Sequence, residues 1–382
     1  MIGGMGRLTR TLAPVLILAS LRAAYACNIP VFRYALERWP AEPYEALVFC
    51  RGKLQPEALA ALEKLKGAAN ARPSPNLECT EVDVAQPFPD EVAELWKSLN
   101  NPALPFLALR YPPGPRAPKI AFSAPFSGET IPGLLDSPSR RELAKRLLAG
   151  ESAVWLLLKS GSAAQDAATH KLLADELKGL EKELRLPDQD PDGDQMARPV
   201  ADLPLRLSFS IISLSREEPA ERVFVRMLLN LDKELAVEPG VVAFPVFGRA
   251  RLLCAIRQKE LTHEAITEVA EFITGACSCQ VKEMNPGTDL LVAADWDALL
   301  EGRVAQEPPP ALTGITAAAP PPQGNSASGP PNAPRSFLQT ATGVTPAEPA
   351  ILRNVLIAVG VLLFAVAAAS ALLKLKAGRK RN

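Results

Sequence analysis

Two cysteines separated by one serine, Cys277-Ser278-Cys279, are the residues of this chain best suited to redox chemistry. A disulfide closed over so short a ring is strained, and strained disulfides exchange readily with other thiols. The alternatives are burial or pairing with the remaining cysteines, which stand at 27, 50, 79 and 254. The connectivity of six cysteines cannot be deduced from sequence. Zinc is disfavoured because neither His170 nor His263 stands at ligand spacing from this pair.

The acidic stretch 188–194 (DQDPDGD) matches the first half of a calcium-binding loop. Its four carboxylates occupy alternate positions: Asp188, Asp190, Asp192 and Asp194. Such carboxylates can converge on a hard cation, and Gly193 permits the sharp turn. The twelfth position, where a calcium loop carries glutamate, is Pro199. A solvated acidic loop is therefore favoured, and a calcium site is the alternative.

Other catalytic motifs are absent from the sequence. It contains no G-x-S-x-G, no H-E-x-x-H and no glycine-rich phosphate loop. The only two histidines, His170 and His263, fall within predicted helices, where exposure at the surface is the default expectation. The sequence therefore favours a protein without enzymatic activity, and we expect no cofactor.

An uncharged run of nineteen residues, 355–373, predicts a membrane-spanning helix. At 1.5 Å per residue it extends about 28 Å, close to the ~30 Å hydrocarbon core of a bilayer. Five basic residues follow within 374–382, and no acidic residue follows Glu348. Because basic residues collect on the cytoplasmic side, we expect the anchor at 351–373, a cytoplasmic tail at 374–382 and everything before it outside.

The N-terminus has the features of a secretory signal peptide at 1–26. Arg7 and Arg10 precede a short apolar run, and Ala24 and Ala26 supply small residues before the cleavage point. Cleavage leaves Cys27 first, so acylation of Cys27 is an alternative. An attached lipid would duplicate the predicted anchor, and ordinary cleavage is favoured.

Residues 303–350 predict a linker rich in proline and alanine. Three proline runs interrupt Ala, Ser, Gly and Thr, a composition that cannot bury a core and favours extended chain. The segment between signal and anchor carries nine more acidic than basic residues, because nine of the 42 basic residues lie in the signal or from Arg353 onward. An acidic ectodomain repels nucleic acid, which excludes that class of partner.

The folded part has the pattern β-α-β-α-β-β-α twice. In the first half, after a short helix within 29–39, strands are predicted at 44–50, 77–84, 105–111 and 119–123, with helices at 55–66, 90–99 and 137–148. In the second half, strands are predicted at 153–158, 205–214, 241–247 and 249–256, with helices at 163–186, 219–231 and 262–274. A last piece at 289–300 is a short strand or helix.

This element order is that of the thioredoxin fold, and the chain resembles two thioredoxin-like domains in tandem, at 27–150 and 151–302. Prolines at the head of the third strand in each half, Pro105 and Pro245, add to the resemblance. The resemblance implies a cis peptide bond there, facing an active-site loop. The block 27–39 (CNIPVFRYALERW) also resembles the mature start of an uncharacterised family of membrane-anchored bacterial exported proteins.

The resemblance implies a Cys-x-x-Cys motif between the first strand and first helix of each domain. The first half has only Cys50, followed by Arg51-Gly52-Lys53, and the second has Lys159-Ser160-Gly161-Ser162. Dithiol exchange at this position is excluded. One-cysteine chemistry at Cys50, with Arg51 and Lys53 stabilising a thiolate, is an alternative, and a buried cysteine at the end of a strand is favoured.

These features together favour a non-catalytic binding or assembly protein outside the cytoplasm. We expect a single-pass protein of the bacterial inner membrane, with its N-terminal domains extracytoplasmic and another envelope protein as partner. The first alternative is an envelope thiol–disulfide oxidoreductase using Cys277 and Cys279. The second is a calcium-stabilised structural module built on 188–194.

Overall fold

Two mixed β-sheets, each flanked by helices, organise the computed structural model of the chain. It describes residues 28–114, 120–189, 199–200, 203–277 and 281–300, all within one compact unit. The fold is mixed α/β, as the sequence predicts. The expected signal peptide, linker, membrane helix and tail lie outside the described residues. Among the helices that are described, none combines the length and hydrophobicity needed to cross a membrane.

The first sheet contains four strands. The elements of this half are α1 (Val31–Arg38), β1 (Tyr44–Cys50), α2 (Pro56–Ala69), β2 (Leu77–Asp83), α3 (Asp90–Ser98), β3 (Phe106–Arg110), β4 (Ile120–Pro125), α4 (Thr130–Leu135) and α5 (Pro138–Leu148). The strand order is β2-β1-β3-β4, with β1 parallel to β2 and β3 antiparallel to both β1 and β4. Only α4 lacks a counterpart among the predicted elements.

The second sheet repeats this arrangement. Its elements are β5 (Ala153–Leu158), α6 (Ala163–Glu183), β6 (Phe209–Leu214), α7 (Arg222–Leu229), β7 (Val242–Phe247), β8 (Arg251–Leu252), β9 (Ile256–Arg257), α8 (His263–Thr274) and β10 (Thr288–Asp289). The strand order is β10-β8-β7-β5-β6, and β9 also pairs with β7. Strands β5 and β6 are parallel, whereas β7 is antiparallel to β5 and β8.

The central strands β1 and β5 are almost entirely apolar because both faces of each sheet are covered. Along β5, Ala153, Trp155 and Leu157 pack with α1, α6 and α8, whereas the alternate residues pack with α5 and α7. In β1, Phe49 faces α3 while Val48 faces α2. Strands buried on both faces have continuous apolar runs instead of alternation, which is the pattern that made them visible in the sequence.

Helix α1 lies almost entirely inside the protein although it begins the described chain. Its buried residues include Arg33 and Glu37, which form an ion pair of 2.9 Å within the helix. The turn between β7 and β8 approaches it closely at Gly248, where a Cβ atom would come within 2.6 Å of the Cβ of Ala35. Gly248 also has a φ of 58°, in the left-handed region that favours glycine.

Helix α7 and Arg140 connect the two sheets. The Tyr111 hydroxyl donates to the carbonyl of Met227, and the Asn230 amide donates to the carbonyl of Ala121 at 2.9 Å. The buried guanidinium of Arg140 donates to the carbonyl of Leu134 at 2.9 Å and to that of Leu291 at 3.3 Å. Burial lowers the pKa of Arg140 to about 10, so it keeps its charge at neutral pH.

A buried carboxylate, Asp289, joins three distant segments of the chain. It pairs with Arg251 at 3.1 Å and with Lys282, and it accepts a hydrogen bond of 2.7 Å from the amide of Glu42. The side chain of Asp289 is 2% exposed and that of Lys282 is 7% exposed. The main-chain carbonyl of Asp289 also accepts from the Tyr44 hydroxyl at 2.9 Å.

We expect Asp289→Asn to destabilise the protein by about 3–5 kcal/mol, because removing one member of a buried ion pair leaves the opposite charges uncompensated. Urea unfolding followed by circular dichroism measures the change in free energy of unfolding. Glu283→Gln is the matched control, since it removes the same charge at an exposed position of the same segment and should act within about 0.5 kcal/mol. Equal stability of the two variants would contradict the role assigned to Asp289.

Candidate functional site

A cleft of about 510 Å³ opens where β5 and β6 end. Ligands of open α/β sheets commonly bind outside the carboxyl ends of parallel strands, so this is the first place to look for a binding site. Three parts of the chain form its wall: the loop after β5, the first turns of α6 and the segment after β6. The lining residues used below are Lys159, Ser160, Asp166, His170, Arg216 and Glu217.

The carboxylate of Asp166 organises the loop that follows β5. It accepts hydrogen bonds from the amide and the hydroxyl of Ser160, both at 2.8 Å, and from the amide of Gly161 at 3.3 Å. Burial opposes its ionisation, but these hydrogen bonds and the ammonium of Lys159 hold the pKa of Asp166 below its usual range. The loop amides that would otherwise receive an anion are therefore satisfied internally by a carboxylate of the protein.

Arg216 closes the other side of the cleft. Its Nε donates to the carbonyl of Lys159 at 2.8 Å, and one Nη donates to the carbonyl of Gly240 at 2.9 Å. Burial lowers the pKa of Arg216, while the nearby carboxylates of Glu238 and Asp166 counteract it. The guanidinium therefore connects the ends of β5 and β6 to the segment before β7, and its role is mainly structural.

The remaining polar groups of the cleft are half-buried or exposed, and they are of mixed charge. Lys159 and His170 contribute donors, and Glu217 contributes an acceptor. His170 is exposed on α6, as predicted, but it also lines the cleft. No thiol lines the cleft among the described residues. An arrangement of this kind can hold a polar ligand by hydrogen bonds from several sides.

Sequence reasoning did not identify Asp166 or Arg216. The available signal for Asp166 was a carboxylate in the first turn of a helix, placed after the Ser-Gly-Ser of the β5–α6 loop. For Arg216 there was no local signal, because its partners are carbonyl groups from loops 57 and 24 residues away.

The corresponding position of the first sheet contains Cys50, at the end of β1. Its side chain is 2% exposed, and its Sγ lies 3.6 Å from a carboxylate oxygen of Glu81. Burial, followed by the Glu81 carboxylate, raises the pKa of Cys50 to about 11. The expected thiolate stabilisation by Arg51 and Lys53 is not seen, because both cations are exposed and the charged groups acting on the thiol are acidic.

The two prolines at the third strands occupy different positions. The peptide bond Leu104–Pro105 is cis, and extending the register of β1 with β3 by one pair sets Pro105 opposite Cys50. Pro245 lies inside β7, opposite Trp155, and not at the head of the strand. The bond before it is not among the cis bonds of the described residues.

Pro245 is accommodated because the neighbouring strand is interrupted beside it. The predicted strand 249–256 is divided into β8 and β9, and residues 253–255 leave the ladder between them. The carbonyl of Pro245 accepts from the amide of Leu253 at 2.9 Å, so its missing N–H faces the same interruption. Prolines within sheets are confined to such irregular places.

The other predicted site residues are only partly described. Cys277 is 1% exposed in the core beside α1 and α8, and its amide donates to the carbonyl of Ile29 at 2.9 Å. Ser278 and Cys279 lie outside the described residues, so the proposed redox pair is not seen as a unit. Asp188 is described, and its carbonyl accepts from the Asn28 side chain at 3.1 Å. Asp190, Asp192 and Asp194 are not described; among the residues that are, no three potential ligands gather around a metal position.

His263, the other histidine, begins α8 and pairs with Glu176 of α6 at 2.7 Å. The hydrogen bond to Glu176 and its negative charge raise the pKa of His263 above its usual range. The side chains are exposed, and the pair connects two helices that cover the same face of the second sheet. We therefore interpret His263 as a structural residue that helps to hold α6 and α8 together.

No protein-family model matches this sequence, and no curated protein matches it. The residues and their contacts therefore carry the functional interpretation.

We expect Cys50 to react roughly a hundredfold more slowly with iodoacetamide at pH 8 than a cysteine in a flexible peptide, because a pKa of about 11 leaves little thiolate. Peptide mass spectrometry of alkylated protein measures the rate at this site. Glu81→Gln should accelerate the reaction, since it removes the nearest negative charge. Glu63→Gln, on the exposed side of α2, is the control. Rapid labelling of native Cys50 would contradict the buried, protonated state.

We expect the free energy of unfolding to fall as the pH rises from 6 to 8, because of His263. Its pKa is raised in the folded state, so its stabilising charge is fully present below its unfolded pKa of about 6.5 and is lost above the folded value. Urea unfolding across this pH range measures the effect. His263→Gln should flatten the profile. An unaltered slope in His263→Gln would contradict this assignment.

Proposed function

We propose that this chain is an extracytoplasmic binding or assembly protein, anchored in the bacterial inner membrane by one C-terminal helix. Two thioredoxin-like domains that have lost their redox chemistry form its folded part, and a proline-rich stalk connects them to the anchor. The repeated β-α-β-α-β-β-α order and the identical directions of the paired strands in the two sheets support the thioredoxin-like part of the proposal. The sequence features of the two termini support the anchor.

The main support for this proposal is the chemistry of the two loops that follow β1 and β5. In a thioredoxin-like enzyme these loops hold the reactive dithiol. Here the first loop follows a single thiol, the buried Cys50 at the end of β1, whose pKa is raised, and the second loop has its amides bound by Asp166. Neither arrangement supports attack on a disulfide, because the thiolate is the nucleophile. What remains beside the second loop is an open polar cleft.

A protein segment fits this cleft better than a small anion does. The cations Lys159 and Arg216 are offset by Asp166 and Glu217, so the cleft offers donors and acceptors in similar measure. Polypeptide carries both kinds of group at every residue. The open shape also suits a chain that passes through, and the partner is accordingly an envelope protein that presents a polar loop or terminus.

Site-specific photo-cross-linking in the membrane of the source cell tests this proposal. A photoreactive amino acid at Ala167, which is exposed and lines the cleft, should give one major adduct with another envelope protein. The same group at Lys178, exposed on α6 but outside the cleft lining, is the matched control. Adding Lys159→Glu and His170→Asp should reduce the adduct at least about fivefold, since each removes a donor and adds a like charge beside Glu217. Equal adducts at 167 and 178 would reject the cleft as the binding site.

A thiol–disulfide exchange assay on the same protein separates binding from catalysis. We expect the full-length protein to leave insulin disulfides intact, and Cys50→Ser or a Cys277→Ser, Cys279→Ser double variant to change nothing. Turnover that disappears in the double variant would instead establish the oxidoreductase alternative.

A further inference from the structure

The strand orders of the two sheets end at β2, β4, β6 and β10, and three of these strands are either very short or have outward main-chain groups bonded within the protein. On β6, the Glu181 carboxylate accepts from the amide of Phe209 at 2.7 Å, and Arg146 donates to the carbonyl of Ile211 at 3.1 Å. On β4, α7 packs along the strand and Asn230 donates to the carbonyl of Ala121. Strand β10 has only two residues. Protected or very short edges of this kind prevent pairing with other chains.

Strand β2 is different, because its outward edge is open along most of its length. The amide of Tyr44 donates to the carbonyl of Asn76, and that of Val84 to the carbonyl of Cys50, which fixes the direction of each residue in this parallel pair. Residues 78, 80 and 82 therefore bond to β1, whereas 77, 79, 81 and 83 point away. Within the described part of the chain, the outward amides and carbonyls of Cys79 and Glu81 have no hydrogen-bond partner.

The charges on β2 define what can pair with it. The strand carries three carboxylates, Glu78, Glu81 and Asp83, and both glutamates are exposed. Lys66 lies 3.9 Å from Glu81, and the positive charge of Arg51 acts on Asp83. An antiparallel second copy of β2 would bring six carboxylates together along one edge, and like charges on paired strands are destabilising. Side chains alternate between the two faces of a strand, so Glu81 and Asp83 share one face and Glu78 lies on the other. A strand with Lys or Arg at alternate positions can bring its cations to the face of Glu81 and Asp83.

We propose that β2 binds an extended basic segment of a partner protein, which adds to the first sheet as a fifth strand. Main-chain hydrogen bonds to Cys79 and Glu81 supply the affinity, as in other cases of β-strand addition, and the carboxylates select the partner. Pro75 and Pro87 flank the edge and limit the paired segment to about the seven residues of β2. This surface is separate from the cleft at β5 and β6, so either can fail without the other.

Fluorescence anisotropy with the full-length protein in mild detergent tests the proposal, using the labelled peptide KVKTKVK as the basic probe. The acidic peptide EVETEVE and the proline-interrupted peptide KPKTKPK, which keeps all four lysines, are the controls. We expect the basic peptide to bind, the acidic peptide to show no binding, and the interrupted peptide to bind at least about tenfold more weakly, because two proline residues lack the donors that pair with the edge.

Two variants separate main-chain pairing from charge. Glu81→Gln keeps the outward N–H, whereas Glu81→Pro removes it without removing a bond to β1, so Glu81→Pro should bind the basic peptide about tenfold more weakly than Glu81→Gln does. The double variant Glu78→Lys, Glu81→Lys should prefer the acidic peptide. If thermal unfolding shows that Glu81→Pro does not fold, the peptide preference of this double variant still tests the proposal. The cross-link at Ala167 should persist in all these variants.

Four results would overturn the proposal. The first is equal affinity of Glu81→Pro and Glu81→Gln for the basic peptide, and the second is equal binding of the interrupted peptide. The third is a protein that sediments as a dimer and becomes monomeric in Glu81→Pro, which would mean that the edge of β2 binds a second copy of the chain. The fourth is slow hydrogen exchange at the amides of Cys79 and Glu81 without peptide, which would mean that the chain covers the edge itself.

Discussion

The buried carboxylate of Asp289 is the constraint on which the relative placement of the chain segments depends. It holds two cations, Arg251 and Lys282, and it also receives the amide of Glu42. Taking charges out of water costs several kcal/mol per ion unless each finds partners of opposite charge and good geometry. The segment that precedes β1, the β7–β8 hairpin and the residues after α8 must therefore be in place together for the network to be satisfied.

The same logic extends to α1, which is the first described element and yet belongs to the core of the second sheet. Arg33 and Glu37 are buried with it, and the side chain of Glu37 accepts from the amide of Val200 at 2.8 Å. Helix α1 therefore packs against the second sheet, although the strands that follow it in the chain form the first sheet. Arg140 adds a reciprocal connection, since it lies in the first half and donates to the carbonyl of Leu291. Together these contacts make the two sheets mutually dependent, although their topologies are those of separate repeats.

The strands were predictable because burial on both faces leaves a continuous apolar run, as in 44–50 and 153–158, whose bounds the sequence gives to the residue. The serine cap of the helix at 137–148 was also predictable: the Ser137 side chain accepts from the amide of Arg140. Helix α4 was not, since Pro132 and Gly133 lie within its six residues. The interruption between β8 and β9 was not predictable either, because contacts across the sheet determine it.

The candidate site was harder to predict than the fold because its important contacts link main-chain groups distant in sequence. A pattern of residue types can show that a loop lacks a dithiol, and it did so for 159–162. It cannot show that Asp166 binds the amides of that loop, or that Glu81 faces Cys50, because both depend on which strands are neighbours. The parallel pairing of β1 with β2 places Glu81 beside Cys50, and burial together with this carboxylate raises the pKa of the thiol where Arg51 and Lys53 were expected to lower it. The acidic side chains of β2 thus have two consequences: they add to the burial that keeps the nearby thiol protonated, and they give the open edge of the first sheet a negative charge.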